Sequence, residues 1–243
     1  MKLKTILGIL KYLPKSIYFN FQYFSLKDAI RLPIIMMSNV KIINTRGHIH
    51  LTNGISTGAI KIGGGENPLY QQTTYKCVWD DNGGDIYMGK DITFSKGTAI
   101  EIGENATLKI ADSVIFGCLS KVSCFEFISI GSNTEFSWEC IVTDTDFHST
   151  INIKDNSSNK MSKPIFIGKN NWLGIQTLIL KGTHTPDFCI AAARSLLNKN
   201  YEIPQFSLIG GTPAKFLAEG IYRDMTCLLY TSPSPRDTER SRM

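Results

Sequence analysis

The stretch IFIGKNNWLGIQTLILKGTHTPDFCIAAARSLL, residues 165–197, decides the fold of this chain. Apolar or small residues recur in it every six positions, a spacing that neither the 3.6-residue period of a helix nor the two-residue period of a strand produces. Six residues are typical of one flat face of a triangular solenoid, in which one side chain per face points to the axis. The positions are Ile167, Leu173, Ile179, Thr185, Ala191 and Leu197.

The same six-residue period is present upstream, at Ile102, Leu108 and Val114 and at Ile130, Phe136 and Val142. Glycine follows the inward position at Gly103, Gly131, Gly168 and Gly174, which predicts tight corners there. Small residues lie two positions before an inward residue at Ala106, Thr134, Thr177 and Ser195. The pattern favours an all-β solenoid over an antiparallel sandwich, which composition alone leaves open.

The period is interrupted once in this region. Val142 and Ile167 are 25 residues apart, one more than four hexads, so a loop is predicted to leave the solenoid between them. The loop carries Asp144, Asp146 and His148 within five positions. Binding and catalytic residues concentrate on loops that a rigid scaffold holds, and this segment is therefore the candidate functional site.

Composition narrows the classes of function. The 243 residues are 42% hydrophobic and 19% charged, which is typical of a soluble globular protein, and no apolar run reaches the length of a spanning helix. The formal net charge of +5 includes no dense run of Lys and Arg. We therefore expect no nucleic-acid partner.

The segment CLLYTSPSPRDTERSRM, residues 227–243, reads as a translated library adapter that replaces the natural C-terminus, with a disordered tail as the alternative. The remaining cysteines are odd in number and include no CxxC pair. They predict reduced, mostly buried thiols in a cytoplasmic protein, and neither disulfides nor a zinc site. The cysteines are Cys77, Cys118, Cys124, Cys140 and Cys189.

The N-terminal stretch MKLKTILGILKYLPKS, residues 1–16, predicts a short amphipathic helix and not a signal peptide, because Lys11 interrupts its apolar run. Two interpretations stay open, packing on the protein's own body and peripheral contact with anionic lipid headgroups. We expect a helical extension over 1–45, a solenoid domain over 46–217, a truncated C-terminal helix over 218–226 and the non-native tail over 227–243.

Three segments carry a resemblance to a known family: ISIGSNTEFSWECIVTDTDFH, KPIFIGKNNWLGIQTLILKG and LIGGTPAKFL. Together they resemble the hexapeptide-repeat, or isoleucine-patch, acyltransferases, particularly the sugar O-acetyltransferases of bacterial surface-polysaccharide clusters. The resemblance covers about residues 85–217. It implies a left-handed parallel β-helix, a homotrimer with active sites between subunits, acetyl-CoA as co-substrate and a saccharide acceptor in capsule, O-antigen or exopolysaccharide biosynthesis.

The resemblance assigns His148 as the catalytic base. A sugar hydroxyl needs a group that removes its proton as it attacks an acetyl thioester, and an imidazole can accept that proton and pass it to the leaving thiolate. A carboxylate on the other ring nitrogen would orient the ring, and Asp144 and Asp146 are both candidates. Trp138 and Asp144 are assigned to the acceptor.

The resemblance also implies a coenzyme A groove. A pantetheine arm needs small side chains along its path, and phosphates need basic groups at its far end. Arg194 departs from the family, since relatives often have glycine after the alanine pair. The assigned residues are Trp172, Gly174, Ala193, Asn198, Lys199 and Lys215.

Other classes of function are compatible with the same fold. A metal-dependent hydratase of the same fold needs three converging histidines, whereas only His148 and His184 lie in the solenoid, so no metal is expected. His48 and His50 alternate on a predicted strand without an evident third ligand, and solvent exposure is expected for both. A non-catalytic β-helix module and an antibiotic acetyltransferase of the same fold stay open.

Overall fold

The structure, a computed structural model, describes residues 3–65 and 75–224, without the side chains of residues 3–9. Two helices, α1 (Leu3–Tyr23) and α2 (Leu26–Ala29), precede the strands. In chain order the strands are β1 (Ile34–Met36), β2 (Val40–Thr45), β3 (His48–Leu51), β4 (Ile60–Gly64), β5 (Cys77–Asp81), β6 (Asp85–Met88), β7 (Ile92–Ser95), β8 (Ala99–Ile102), β9 (Thr107–Ile110), β10 (Ile115–Phe116), β11 (Lys121–Cys124), β12 (Phe127–Ile130), β13 (Glu135–Phe136), β14 (Ile141–Thr143), β15 (Ile165–Ile167), β16 (Trp172–Leu173), β17 (Leu178–Ile179), β18 (Ile190–Ala191), β19 (Leu196–Leu197), β20 (Leu208–Gly211) and β21 (Ala214–Ala218).

The strands form three parallel sheets, visited in turn as the chain coils, and the predicted parallel β-helix is confirmed. Sheet A has the order β1-β4-β7-β10-β13-β16-β18-β20-β21, sheet B the order β19-β17-β14-β11-β8-β5-β2, and sheet C the order β15-β12-β9-β6-β3. Every described strand pair is parallel except β20 with β21, which form a terminal hairpin. The left-handed sense of the coil stays a prediction.

The predicted inward positions are confirmed as core. The sequence predicts one inward side chain per strand, but strands of the earlier coils have two. In β8, β9 and β12 the second and the fourth residue are both buried. A four-residue strand has room for two, whereas β16, β17 and β19 contain only two residues each. The predicted positions, all buried, are Ile102, Leu108, Val114, Ile130, Phe136, Val142, Ile167, Leu173, Ile179, Thr185, Ala191 and Leu197.

An aromatic column occupies the axis beneath sheet A. The rings of Phe94 and Phe116 stack with centroids 4.8 Å apart, and Phe116 stacks on Phe136 at the same distance. This separation matches the spacing of neighbouring strands, so identical rings in register pack without a gap. Leu173, Ala191 and Ile209 continue the column in later coils.

The corners use glycine in a different way from the one predicted. Gly131 and Gly168 have no positive φ. A Cβ on Gly131 would lie 2.6 Å from the carbonyl carbon of Gly168, and one on Gly168 would lie 2.4 Å from the Pro186 oxygen. These glycines are therefore required for close contact between coils. The left-handed backbone conformation falls instead on other corner residues, among them Asn105, Asn133, Asn170, Gln176 and Arg194.

Helix α1 covers the first edge of the solenoid, which confirms packing on the body for its inner face. Asn20 donates to the Ile34 carbonyl (2.7 Å) and accepts from the Ile34 N–H (3.2 Å), while Ser16 Oγ accepts from Met36 N–H (2.9 Å). The unpaired edge of β1 thereby gains partners. Phe19 packs edge-on against Trp79, with ring centroids 5.1 Å apart. No described helix is long and apolar enough to cross a membrane.

The predicted domain division needs correction at the start of the solenoid and at the C-terminal helix. The solenoid begins with β1 at Ile34, twelve residues before the predicted start at 46, because the first coil pairs directly beneath α1. The predicted C-terminal helix over 218–226 is absent from its described part, 218–224. In this segment the Arg223 guanidinium donates to the Glu135 carboxylate at 2.5 Å and lies 5.1 Å from the ring centroid of Trp172. These two contacts hold the segment against sheet A. The predicted tail, 227–243, lies outside the described residues.

The cysteines agree with the prediction of buried free thiols. Cys77, Cys118, Cys124, Cys140 and Cys189 are all free and buried. Burial raises the pKa of the Cys140 thiol to about 11 and that of Cys189 to about 12. Both thiols therefore stay protonated and weakly nucleophilic near neutral pH.

The aromatic column gives the first prediction. Phe116→Ala should lower the free energy of unfolding by about 3–5 kcal/mol, because it removes a fully buried ring between two stacked neighbours. The neighbouring Ile115→Ala, on a half-exposed outward side chain, should cost about 1 kcal/mol or less. Denaturant unfolding followed by circular dichroism measures both, and equal losses would contradict the proposed role of the column.

Candidate active site

The three sheets create three corners, which are named here by the sheets they join. The chain runs from sheet A to B to C and back to A, so residues 137–140, 174–177 and 192–195 form the A/B corner. Residues 180–183 and 198–199 lie at the B/C corner. Successive coils place residues of distant sequence position side by side along each corner.

The predicted loop is present and leaves at the B/C corner. It runs between β14 and β15 over residues 144–164 and is closed at its base by the antiparallel bridge of Thr145 with Ser162. Lys163 N–H donates to the Asp144 carbonyl at 2.9 Å. A second bridge joins Ile151 and Ser158 nearer the tip. The loop is therefore a short two-stranded projection and not an open coil.

Asp144 anchors this projection and does not contact His148. Its carboxylate is fully buried and accepts backbone N–H groups from Phe125 (2.7 Å), Glu126 (2.8 Å) and Phe127 (2.8 Å) of the preceding coil. Three such bonds give the buried carboxylate oxygens the partners that water would otherwise supply. The predictions that Asp144 orients the histidine ring and binds the acceptor are wrong, because the side chain is enclosed at the loop base.

Buried Asp81 serves in the same way three coils earlier. It is the last residue of β5, at the B/C corner, and its carboxylate accepts hydrogen bonds from the N–H groups of Gly47 (3.1 Å), Gly83 (3.2 Å) and Gly84 (3.2 Å) and from the Tyr23 hydroxyl (2.9 Å). Two buried aspartates at equivalent corners indicate that this position has a structural role in the solenoid.

Asp146 lies on the exposed part of the loop and is tied to the next coil. Lys181 Nζ forms an ion pair with Asp146 Oδ2 at 2.5 Å and also donates to the carbonyls of Lys160 (2.5 Å) and Met161 (3.3 Å). Lys181 thus holds both strands of the projection against the B/C corner. Sequence reasoning missed this lysine, since only the stacking of coils brings it to the loop.

His148 is exposed, and within residues 3–65 and 75–224 its ring has no hydrogen-bond partner. The adjacent Phe147 fixes its place on the loop: the Phe147 ring packs edge-on against Phe125, 5.1 Å between centroids, and its N–H donates to Thr145 Oγ1 at 3.1 Å. An imidazole in this position can accept a proton from a group approaching from solvent.

A depression of about 650 Å³ lies between the returning segment of the loop, residues 158–164, and the outer face of sheet C. Lys160, Lys163 and His184 line it, and no Asp or Glu does. His184 pairs through its backbone with Phe166, and their rings are 5.5 Å apart. The lining suits an uncharged or anionic polar ligand better than a cation.

The predicted acceptor and donor residues fall on two different corners. Trp138, Gly174 and Ala193 stack at the A/B corner, where Gln176 N–H donates to the Trp138 carbonyl at 2.9 Å and a Cβ on Gly174 would lie 2.6 Å from Ala193 N. Trp172 lies beside them on the outer face of sheet A. Its indole N–H donates to Ser137 Oγ at 3.0 Å.

The remaining donor residues are exposed. Asn198 and Lys199 lie at the B/C corner, two coils beyond the loop, where the Lys199 amine is 5.4 Å from the Tyr201 ring centroid. Lys215 lies on β21, opposite Gly210 of β20, close to the A/B corner. Arg194, the departure from the family, occupies a left-handed A/B corner position with an exposed side chain.

In the described residues no group of three or more His, Cys, Asp and Glu could hold a metal ion. His50 Nε2 instead lies 3.0 Å from Asp85, and its ring stacks on Tyr87 at 4.6 Å. His48 and His50 are both exposed, as predicted, with ring centroids 6.4 Å apart.

Comparison with known sequences finds an acetyltransferase among the relatives of this chain. A probable acetyltransferase of Mycobacterium tuberculosis, Rv3034c, is 27% identical over 129 residues, which are 49% of this chain and 42% of that protein. The chain therefore spans less than half the length of this curated relative. No protein-family model matches the chain.

Solved structures match over most of the chain, but with low sequence identity. The polySia-specific acetyltransferase NeuO matches with a TM-score of 0.49 and 16% identity, over 87% of this chain and 88% of that one. The polysialic acid O-acetyltransferase OatWY matches at 0.48 and 21%, over 85% and 99%. A variant of the N-acyltransferase AntD from Bacillus cereus, in complex with dTDP and coenzyme A, matches at 0.46 and 10%, over 91% and 99%.

The anchoring role of Asp144 gives the second prediction. Asp144→Asn should lower the free energy of unfolding by about 1–3 kcal/mol, because an amide places a donor against buried N–H groups. Asp146→Asn, which removes only a partly exposed ion pair, should cost about 1 kcal/mol or less. Hydrogen exchange of the Phe125–Phe127 amides should accelerate in Asp144→Asn alone; unchanged exchange there would refute the anchor.

Proposed function

We propose that this protein transfers an acetyl group from acetyl-CoA to a hydroxyl of a saccharide, with His148 as the general base. The observation that carries the proposal is the exposed imidazole of His148 on the projection that leaves the β-helix at the B/C corner, where Asp144 and Lys181 anchor it. The 27% identity to a probable acetyltransferase supports the reaction class.

The chemistry follows from the exposure of the ring. A hydroxyl bound beside His148 would lose its proton to the imidazole as its oxygen attacks the thioester carbon, and the imidazolium would then protonate the departing thiolate. Asp146, two residues away, is the remaining candidate for orienting the ring. Its ion pair with Lys181 would have to open or be shared for that role.

Coenzyme A supplies the activated acetyl thioester, and the two corners offer what its binding requires. Gly174 and Ala193 give the A/B corner a path without bulky side chains, while exposed Lys215 and Arg194 can meet phosphates nearby. Lys199 offers a further cation at the B/C corner. The residues present therefore fit the donor.

We further propose a homotrimer in which each active site lies between two subunits. In one chain the His148 projection lies at the B/C corner, whereas Trp138, Gly174 and Ala193 lie at the A/B corner, with sheet B between them. Rotation about a three-fold axis can bring one corner of a subunit to face the other corner of its neighbour. Exposed Ile151 and Ile153 near the loop tip support contact with a partner surface.

The acceptor in this proposal is a sugar of a bacterial surface polysaccharide, and the reaction takes place in the cytoplasm. The buried free thiols support a reducing compartment. The depression beneath the loop is lined by lysine and histidine and by no Asp or Glu, which supports an uncharged or acidic saccharide as its ligand.

The third prediction tests the base. His148→Ala should lower kcat by about 10²–10⁴-fold while coenzyme A affinity and trimer mass stay unchanged, because the imidazole acts on the acceptor proton. His50→Ala, which alters another exposed histidine, on β3, is the matched control and should keep full activity. Thiol release from acetyl-CoA with a panel of saccharides measures turnover.

Four results would overturn the proposal. Wild-type turnover in His148→Ala would refute the base assignment, and loss of the trimer in that variant would show a structural role instead. Absence of thiol release and of coenzyme A binding in the wild-type protein would indicate the non-catalytic module. Acetylation of an antibiotic but of no saccharide would identify the antibiotic acetyltransferase.

The fourth prediction tests the donor groove. Lys215→Ala should raise the KM for acetyl-CoA severalfold with little change in kcat, because a phosphate contact remote from the reacting carbon contributes equally to ground and transition states. Lys90→Ala, another exposed lysine, is the control. An equal fall in kcat and kcat/KM for Lys215→Ala would contradict the phosphate role.

A further inference from the structure

Helix α1 has a second apolar stripe on the side that does not face the solenoid. Its inner face is already occupied, since Ser16, Phe19 and Asn20 are buried against the first coil. On the outer side, Leu10, Ile17 and Phe21 follow the helical spacing of seven and four residues and are 57%, 42% and 42% exposed. The fold therefore leaves this stripe without a partner inside the described chain.

Exposed apolar and aromatic side chains continue around the stripe. Tyr18, one position from Ile17, is 53% exposed, and Leu26 and Ile30, just beyond the helix, are 69% and 64% exposed. Tyr and Phe beside aliphatic residues are typical of segments that lie in the interfacial region of a bilayer. Scattered exposed apolar residues are ordinary, but a contiguous helical stripe marks an interaction surface.

The charge of the chain is concentrated at the same end. Residues 1–31 contain six Lys and Arg and one Asp, a net charge of +5, which equals the formal net charge of all 243 residues. Residues 32–243 therefore sum to zero. Lys11, Lys27 and Arg31 are exposed beside the apolar side chains, and Lys11 and Lys41 line a groove of about 600 Å³ between α1 and β2.

We propose that the outer face of α1, with the residues that follow it, docks the protein on an anionic lipid bilayer surface. The apolar stripe would enter the headgroup region while the flanking lysines and arginine bind lipid phosphates. Charge complementarity selects this occupant: a second copy of the chain would bring the same net positive charge against the stripe. The absence of a bilayer-spanning helix among the described residues agrees with binding in the interface plane.

The test is co-sedimentation of the full chain with vesicles of phosphatidylcholine alone or of phosphatidylcholine with phosphatidylglycerol. We expect binding to the anionic vesicles only, weakened by added salt. Lys11→Glu should weaken that binding by roughly fivefold or more, since each cation near an anionic surface contributes about that factor. The double variant Ile17→Ser, Phe21→Ser should abolish it.

Matched controls separate docking from folding. Ile115→Ser changes an isoleucine of equal exposure, 40%, on β10, and Lys90→Glu reverses an exposed charge on the solenoid; both should bind vesicles as the wild type does. Circular dichroism of each variant tests whether the fold is kept. We expect it to be kept because the altered side chains are exposed.

The outcomes decide the proposal. Failure of the wild type to bind anionic vesicles, equal binding to neutral vesicles, or undiminished binding by the stripe variants would each overturn it. Sedimentation velocity tests the alternative that a second copy of the chain covers the stripe. If the double variant Ile17→Ser, Phe21→Ser has a lower oligomer mass but still binds vesicles, the stripe is a contact between copies and the lipid proposal is overturned.

Discussion

The vertical alignment of successive coils is the constraint on which the structure depends. Parallel strands pair only with the strands of the coils above and below, so backbone N–H and C=O groups find partners only where equivalent positions stack in columns. The stack of Phe94, Phe116 and Phe136 meets this condition inside, with rings separated by one strand spacing. Close glycine contacts such as Gly131 over Gly168 meet it at the corners.

The corners also determine where function can be built. A chain that turns between sheets exposes backbone groups, and polar side chains satisfy them there. Thr177 donates to the Gly174 carbonyl at 2.6 Å, while the buried carboxylates of Asp81 and Asp144 each accept several N–H groups. Asp144 thus fastens the start of a projection to a rigid coil, and the projection can present His148 to solvent at a fixed place.

The proposed site is divided because the β-helix has flat faces. Residues that the resemblance joins into one groove lie in one chain at the A/B corner, as Trp138 and Gly174 do, or at the B/C corner, as His148 and Lys199 do. A single sheet separates them, and the solenoid is too rigid to fold them together. The proposed assembly of several copies would join both groups while each coil keeps its register. The lipid-docking surface is independent of this assembly, since it lies on the outer side of α1.

The sequence by itself determined the solenoid, its inward columns and the place where a loop interrupts them. The reason is that the six-residue period is a property of neighbouring sequence positions, such as Ile167, Leu173 and Ile179, and can be read without knowing any tertiary contact. It also located His148 on that loop. The tertiary structure decided the rest: Asp144 is an anchor because Phe125 to Phe127 lie on the coil beneath it, and Lys181 holds Asp146 because it lies on the coil above. Gly131 and Gly168 allow close contact between coils and do not carry the left-handed turns, and residues 219–224 run along sheet A without a helix. These roles depend on contacts between residues a full coil or more apart, and no local pattern encodes which side chains a given stacking of coils will bring together.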